Sequence, residues 1–163
     1  MSVQDATRKA YTDSSTGLVN RTRWTELMNK DIPASKPYAV MMIDMNGLKH
    51  INDTLGHDAG DEMIFRLSDI LRGALPASAV ICRWGGDEFA VLVTVKNRAH
   101  MEEQIAKLFS ECDKYNRISP DLPIHFAVGA VLSTEHPEAS RNDLFRLADD
   151  DMYRNKKIWY ENR

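Results

Sequence analysis

Apolar residues recur along this chain in two patterns, and together the patterns predict alternating helices and strands. Near-continuous apolar runs indicate buried strands, and they occupy residues 38–45, 79–84, 89–95 and 124–132. Apolar residues three and four positions apart indicate amphipathic helices, and this spacing recurs across residues 48–55, 63–71, 101–112 and 144–152. A short helix is also predicted over residues 20–30, where Pro33 and Pro37 should end it. The turn-rich residues 13–17 separate it from the polar, helix-compatible residues 2–10.

The connections between the predicted strands indicate the class of fold. Gly85 and Gly86 lie between two of the strands, which should therefore form an antiparallel hairpin, whereas the other strands are joined through helices. We therefore predict an α/β (α+β) sandwich with a mixed sheet rather than a doubly wound fold. Gly129 interrupts the last predicted strand and indicates a bulge or a close approach of another backbone.

Composition and charge narrow the class of protein. The 163 residues fit one domain, and 43% hydrophobic with 28% charged residues is ordinary for a soluble protein. No apolar run approaches the roughly 20 residues that span a bilayer, and the polar residues 1–10 do not resemble a signal peptide. A net charge of -3 gives no reason to expect nucleic-acid binding. Cys82 and Cys112 lie in apolar surroundings without metal-ligand spacing, so we expect reduced core thiols and a cytoplasmic location.

The first candidate functional residue is Asp44, a carboxylate at the end of an apolar strand. A buried, unpaired carboxylate is costly, so this position requires a cation or several hydrogen-bond donors. The alternative is a helix N-cap, because Asn46, Gly47 and a predicted helix follow at once.

The second candidate is the hairpin, in which the acidic pair Asp87 and Glu88 follows Gly85 and Gly86. Adjacent carboxylates repel each other and point to opposite faces of a strand, which makes sense if at least one of them holds a metal. The glycines would also let the backbone come close to a phosphate. The alternative is a simple turn that needs glycine for a positive φ.

The third candidate is a group of polar residues on the helices that follow Asp44. Lys49 and Asn52 are three positions apart and share a helix face, and Asp61 follows on the next helix. A lysine suits a phosphate, and an amide with a carboxylate suits a base edge, since a carboxylate accepts hydrogen bonds from guanine that adenine cannot supply. The alternative is a solvated helix face.

Four sequence blocks, in order, resemble the GGDEF family of diguanylate cyclases. The hairpin, residues 84–89 (WGGDEF), resembles the family's signature. Residues 13–21 (DSSTGLVNR) resemble its opening motif, residues 44–61 (DMNGLKHINDTLGHDAGD) its nucleotide-binding block, and residues 148–156 (ADDDMYRNK) its closing helix motif. The blocks span almost the whole chain, so the chain is identified as a member of this family.

The resemblance implies an activity: the condensation of two GTP molecules into cyclic di-GMP and two pyrophosphates. It implies a central, mostly antiparallel five-stranded sheet flanked by helices, similar to nucleotide cyclase and polymerase palm domains. Residues 1–12 would be a helical lead-in or linker, and residues 13–163 the catalytic domain.

The resemblance also implies the site residues. Two Mg²⁺ ions, for which Mn²⁺ can substitute, would be held by Asp44, the backbone carbonyl of Met45 and Asp87, with Glu88 assisting at the metals or at the attacking hydroxyl. Asn52 and Asp61 match the guanine-reading pair. The phosphate contacts correspond to Lys49, the backbone around residues 45–48 and Lys156, and the hairpin glycines Gly85 and Gly86 would approach the nucleotide.

The implied partners follow from the stoichiometry of the reaction. One domain binds one GTP, so two copies must meet face to face, and an upstream sensory domain usually governs this meeting in the family. Neither a nucleic acid nor direct membrane insertion is expected. A non-catalytic GTP-binding regulatory module is the alternative function, and a mixed purine dinucleotide is a narrower alternative product.

The chain departs from the family pattern at several positions. Asn46 replaces the second aspartate of the usual Asp-x-Asp pair, and Gly47 also departs from the common pattern. Pro76 and Ala79 occupy the positions of the Arg-x-x-Asp motif that binds cyclic di-GMP, so no product inhibition is expected there.

One further departure lies at the end of the closing motif. Tyr160 stands where many members have an arginine. This change could weaken phosphate binding, or Lys157 could substitute for the arginine.

Overall fold

The computed structural model describes residues 2–30 and 36–162, in which helices cover both faces of a four-stranded sheet. The strands are β1 (Tyr38–Met45), β2 (Val80–Arg83), β3 (Glu88–Thr94) and β4 (Phe126–Leu132). The helices are α1 (Val3–Tyr11), α2 (Arg21–Met28), α3 (Leu48–Leu55), α4 (His57–Ala74), α5 (Arg98–Ile118) and α6 (Arg141–Glu161), and a short 3₁₀ turn, Ser133–Glu135, follows β4.

The sheet confirms the predicted sandwich, but the number and the pairing of its strands differ from what was expected. The strand order is β2-β3-β1-β4, so the described residues contain the four strands that the apolar runs predicted, where the family resemblance implied five. All three pairings between these strands are antiparallel, whereas the sequence predicted a mixed sheet. The reason is that β2 does not lie beside β1: β3 is placed between them and runs antiparallel to both. The helical connection between β1 and β2 therefore crosses over without creating a parallel pair.

The alternation of side chains along β1 divides the core into two layers. Met41, Ile43 and Met45 belong to the cluster that includes α4 and α5, and Val40 and Met42 to the cluster that includes α2 and α6. Asp44 is therefore on the side of α6, in register with Glu88 of β3 and Ala127 of β4.

Close packing of α6 against β4 explains the glycine in the last strand. A Cβ atom on Gly129 would lie 2.1 Å from both the Ala148 carbonyl oxygen and the Met152 backbone nitrogen. Of the two roles predicted for Gly129, the structure supports the close approach. The same helix face carries Lys156, four residues beyond Met152, to the end of the sheet.

The helix boundaries follow local capping signals. The side chain of Asn20 accepts a hydrogen bond from the Arg23 backbone N–H at 3.0 Å and begins α2. This helix ends at Met28, two residues earlier than predicted, and Pro33, one of its two predicted stops, falls outside the described residues. Gly56, with φ +91°, separates α3 from α4. Among the described residues, none of the helices combines the length and apolar character required to cross a membrane.

Candidate active site

Three carboxylates converge where β1 ends and β3 begins. Asp44 pairs with Glu88 across the two strands, and the Met45 backbone N–H donates to the Asp87 carbonyl oxygen at 2.9 Å. Carboxylate oxygens of Asp44, Asp87 and Glu88 all lie within 4.8 Å of one another. Like charges this close are unfavourable without a cation, so the arrangement suits a metal ion.

The most buried of the three carboxylates has one cationic partner. Asp44 is only 4% exposed, and its Oδ2 accepts a hydrogen bond from Lys156 Nζ at 2.9 Å. Its Oδ1 is buried with no hydrogen-bond partner among the described residues. The N-cap of α3 is Gly47, so Asp44 does not have the alternative role of a helix cap. This buried carboxylate oxygen is therefore available to bind a cation.

Burial and mutual repulsion shift the pKa values of the site. Burial raises the pKa of Asp44 despite its bond to Lys156, and burial together with repulsion from Asp44 and Asp87 raises the pKa of Glu88. Burial alone would lower the pKa of Lys156, but its hydrogen bond to Asp44 outweighs this effect, and the pKa is raised. A fourth carboxylate, Asp149 on α6, adds repulsion to Asp44 and Glu88, so the site is strongly negative.

A cleft of about 650 Å³ opens beside the carboxylates and collects several predicted residues. Met45 and Asp87 lie at its acidic end, Lys49 comes from α3, and Lys156 comes from α6. Tyr160, the departure from the family pattern, lines the same cleft, whereas Lys157 is exposed and is not part of its wall. The structure therefore brings metal-ligating and phosphate-binding types of residue to one cleft.

The predicted guanine-reading residues lie further along α3 and α4. A Cβ atom on Gly60 would lie 1.8 Å from Asn52 Oδ1, so the Asn52 amide rests against the residue that precedes Asp61. Asp61 is exposed and lines a separate depression of about 350 Å³, together with Thr16 and Arg83. Asn52 therefore lies against the residue before Asp61, but Asp61 does not line the cleft of Lys49 and Lys156.

The two hairpin glycines do not adopt the conformation that a simple turn would require. Neither Gly85 nor Gly86 has a positive φ. A Cβ atom on Gly86 would meet nothing within 4 Å, and one on Gly85 would make only ordinary contacts with Glu88. Neither backbone conformation nor internal crowding explains the glycines, so the alternative of a turn that needs positive φ is wrong for both.

The protein-family model described as "Diguanylate cyclase, GGDEF domain" matches residues 10–160 of this chain. The chain belongs to the GGDEF family. It is 31% identical over 159 residues to the probable diguanylate cyclase DgcT of Escherichia coli K12, covering 91% of this chain and 34% of DgcT. It is 28% identical over 148 residues to the diguanylate cyclase DosC of the same organism, covering 86% of this chain and 32% of DosC. The chain thus spans about a third of the length of these curated relatives.

Solved GGDEF domains have the same fold. A microbial GGDEF domain, described in a novel interaction mode with cyclic di-GMP, superimposes with a TM-score of 0.79 at 32% identity, covering 94% of this chain and 95% of that one. The GGDEF domain of TpbB (YfiN) from Pseudomonas aeruginosa superimposes with a TM-score of 0.77 at 29% identity, covering 91% and 90% of the two chains.

Arg83 clamps the GGDEF hairpin to the opening motif, a role that the sequence did not reveal. Its guanidinium donates to the carbonyl oxygens of Gly85 and Gly86 at 3.3 and 3.1 Å. It also donates to Ser15 Oγ at 2.6 Å and pairs with Asp13 at 3.5 Å. The only sequence signal was the position of Arg83 directly before the signature. Its partners in the opening motif, Asp13 and Ser15, are about 70 residues away in the chain, so only the fold shows this contact.

Trp84, the residue after Arg83, is held by contacts with two helices. The Trp84 ring lies 4.8 Å from the ring of Phe145 on α6, and the Arg21 guanidinium stacks over it at 4.1 Å. The start of the signature, directly after β2, is therefore held by residues of α2 and α6 as well as by the opening motif.

Proposed function

We propose that this GGDEF domain is a diguanylate cyclase, which condenses two GTP molecules into cyclic di-GMP and releases two pyrophosphates. The observation that carries the proposal is the convergence of Asp44, Asp87 and Glu88 beside a cleft that also holds Lys49 and Lys156. A metal-binding group next to two ammonium groups is what a nucleoside triphosphate requires. The family description and the names of the relatives point the same way.

The donor set fits Mg²⁺, with Mn²⁺ able to replace it. Asp44 and Asp87 supply carboxylate oxygens and Met45 a backbone carbonyl, and oxygen ligands are those that Mg²⁺ prefers. The buried Asp44 Oδ1 without a partner supports this fit. When bound, two Mg²⁺ ions would lower the pKa of the attacking 3′-hydroxyl and neutralise charge on the leaving pyrophosphate.

The remaining residues would orient the nucleotide. Lys49 and Lys156 would neutralise the phosphates, and the open space at Gly86 would let the hairpin backbone approach them. Asn52 and Asp61 would read the guanine edge, and the packing of Asn52 against Gly60, the residue before Asp61, supports a joint role. The carboxylate acceptor of Asp61 would favour GTP over ATP.

Two nucleotides require two domains. The described cleft offers one set of carboxylates and one pair of lysines, so the second GTP would come from a second copy placed face to face. An upstream sensory domain would control this pairing. Residues 1–12 would then be the lead-in from that domain, with residues 13–163 forming the catalytic unit.

Product feedback is not expected at the position where the family's inhibitory motif would lie. Pro76 and Ala79 stand there, and they form a tight turn in which the Ala79 N–H donates to the Pro76 carbonyl oxygen at 2.9 Å. Neither side chain offers a guanidinium or a carboxylate to cyclic di-GMP. Added product should therefore leave the initial rate unchanged.

The test compares Asp87→Ala with Asp113→Ala, which removes an exposed carboxylate on α5. Loss of Asp87 should lower turnover of GTP by several orders of magnitude and weaken Mn²⁺ binding, because it removes a metal ligand. The Asp113 variant should match the wild type in both. Unchanged turnover and unchanged Mn²⁺ binding in Asp87→Ala would refute the assignment. Tight GTP binding without any product in a proven dimer would favour the non-catalytic alternative.

A further inference from the structure

Two polar side chains at the end of β1 are buried without full hydrogen bonding. Asn46 is 3% exposed and Asp44 is 4% exposed. In the described part of the chain, five buried side-chain oxygen or nitrogen atoms lack a hydrogen-bond partner, and three of them are Asp44 Oδ1, Asn46 Oδ1 and Asn46 Nδ2. The other buried polar side chains there, Thr16 and Ser68, are both hydrogen-bonded. Burying an unpaired amide is costly, so Asn46 needs a reason beyond packing.

The backbone places the Asn46 side chain on the same side of the sheet as Asp44. Asn46 lies one residue beyond β1, and its N–H donates to the His125 carbonyl oxygen at 2.8 Å. This bond continues the antiparallel pairing of β1 with β4, in which Met45 pairs with Phe126. Side chains alternate along a paired strand. The side chains of Asn46 and Asp44 are therefore both directed toward α6.

No local structural role accounts for the Asn46 amide. The N-cap of α3 is Gly47, so Asn46 does not cap that helix, and within the described residues neither polar atom of its side chain has a partner. Asn116 on α5 shows the contrast: its Nδ2 donates to the Ile124 carbonyl oxygen and its Oδ1 accepts from the Ile124 N–H, each at 2.8 Å. If packing alone mattered, an apolar residue would fill the position of Asn46 at lower cost.

The charge of the neighbouring carboxylates explains why an amide suits this position. Carboxylate oxygens of Asp44, Asp87 and Glu88 lie within 4.8 Å of one another and suit a divalent cation. Mg²⁺ usually keeps several water molecules when it binds to a protein, and these waters need hydrogen-bond acceptors nearby. Asp149 already adds repulsion to Asp44, and a further buried carboxylate would increase it. An amide oxygen accepts a hydrogen bond without adding a charge.

We propose that Asn46 is a positioning residue for the divalent cation at Asp44, and that its carboxamide oxygen accepts a hydrogen bond from water bound to that cation. The inference rests on the proposed function only through the cation, so it is tested by metal binding in the absence of GTP. Partners that hold a metal's ligands without touching the metal typically change metal affinity by about 10- to 100-fold. Because Asn46 is a single neutral group, we expect an effect of about ten-fold.

The test uses Asn46→Leu, which keeps the branching of the side chain but removes both polar atoms. Asn46→Ala makes the same removal without adding volume, and Asn46→Asp keeps an acceptor but adds a charge. Asn116→Leu is the matched control, because it makes the same chemical change at an amide that is fully hydrogen-bonded. Mn²⁺ binding is followed by electron paramagnetic resonance, and stability by urea unfolding without metal.

We expect Asn46→Leu and Asn46→Ala to bind Mn²⁺ about ten-fold more weakly than the wild type, and Asn46→Asp to bind it at least as tightly. Without metal, Asn46→Leu should unfold at no lower a urea concentration than the wild type, since it loses no hydrogen bond. Asn116→Leu should unfold at a lower urea concentration and keep the Mn²⁺ affinity of the wild type.

The decisive comparison is the Mn²⁺ affinity of the Asn46 variants. Unchanged affinity in both Asn46→Leu and Asn46→Ala would overturn the inference, whatever their stability, because it would leave Asn46 with a purely structural role. A wild-type chain that binds Mn²⁺ no more tightly than Asp87→Ala would overturn the proposed function as well.

Discussion

Replacing Lys156 with methionine removes the cation that, among the described residues, hydrogen-bonds the buried Asp44 carboxylate. Methionine keeps most of the volume and flexibility of the lysine side chain, so the change isolates the charge. The carboxylate left behind is 4% exposed, lies close to Asp87 and Glu88, and gains no new donor. We therefore expect the free energy of unfolding to fall.

The geometry sets the magnitude of that loss. At 2.9 Å the gross attraction is about 6 kcal/mol at an effective dielectric constant of about 20. Desolvation of both groups offsets much of this gain, and breaking a buried pair from one side costs about 3–5 kcal/mol. The 25% exposure of the Lys156 side chain lets water compensate in part. The loss also has an upper limit of about 4 kcal/mol, because at that cost the Asp44 carboxyl would take up a proton at pH 7 instead of staying charged. The expected loss is about 2–3 kcal/mol.

Urea unfolding at pH 7 without divalent metal measures this loss, with Lys157→Met as the control. Lys157 is the exposed neighbour on α6, and its variant should stay within about 0.5 kcal/mol of the wild type. Excess Mg²⁺ should restore part of the stability of Lys156→Met, because a cation at Asp44 replaces the lost charge. A Lys156→Met variant as stable as Lys157→Met would refute the reasoning.

The pH dependence of the loss has a definite sign. The pKa of Asp44 is already raised by burial and should rise further without Lys156, so acidification protonates this carboxyl in the folded variant first. The variant therefore gains more stability than the wild type as the pH falls, and the difference shrinks. The pKa of Lys156 is raised in the folded chain, so its contribution is fully present at neutral pH and is lost as the pH rises through that raised pKa.

Three further predictions concern the framework. In urea unfolding, Gly129→Ala should destabilise the fold by about 3 kcal/mol, because a Cβ atom would overlap backbone atoms of α6. Its control, Gly73→Ala on an open helix face, should stabilise the fold by about 0.5–1 kcal/mol. Burial raises the pKa of Cys82 to about 12 and that of Cys112 to about 11, so neither thiol should react with Ellman's reagent at pH 8 until the chain is denatured. Arg83→Met should lower the free energy of unfolding by about 1–2 kcal/mol in the same assay, since it releases two hairpin carbonyls and the opening motif.

The local features of this fold could be predicted from the sequence because each depends on neighbouring residues. The apolar run that ends at Asp44 predicted β1 and a buried carboxylate, and Gly85 with Gly86 predicted the hairpin. The order of the strands could not be predicted in this way. It depends on β3 lying between β1 and β2, a matter of packing across the whole sheet, and for this reason a mixed sheet was expected where the described strands are all antiparallel.

The candidate site shows the same division. The approach of Asp44 to the acidic hairpin was expected, and the structure brings these carboxylates together. The opening-motif partners of Arg83 lie about 70 residues earlier in the chain. The placement of Asp61 outside the lysine-lined cleft depends on how α4 is oriented. Contacts of this kind depend on tertiary packing, which local sequence patterns do not reveal.

The most direct test of the account is the product formed by a forced dimer. The chain is fused to a dimeric coiled coil, incubated with GTP and Mg²⁺, and the products are separated by chromatography. The account predicts one cyclic di-GMP and two pyrophosphates for every two GTP consumed, with no product from the Asp87→Ala dimer. A wild-type dimer that binds GTP but releases no cyclic di-GMP would contradict it.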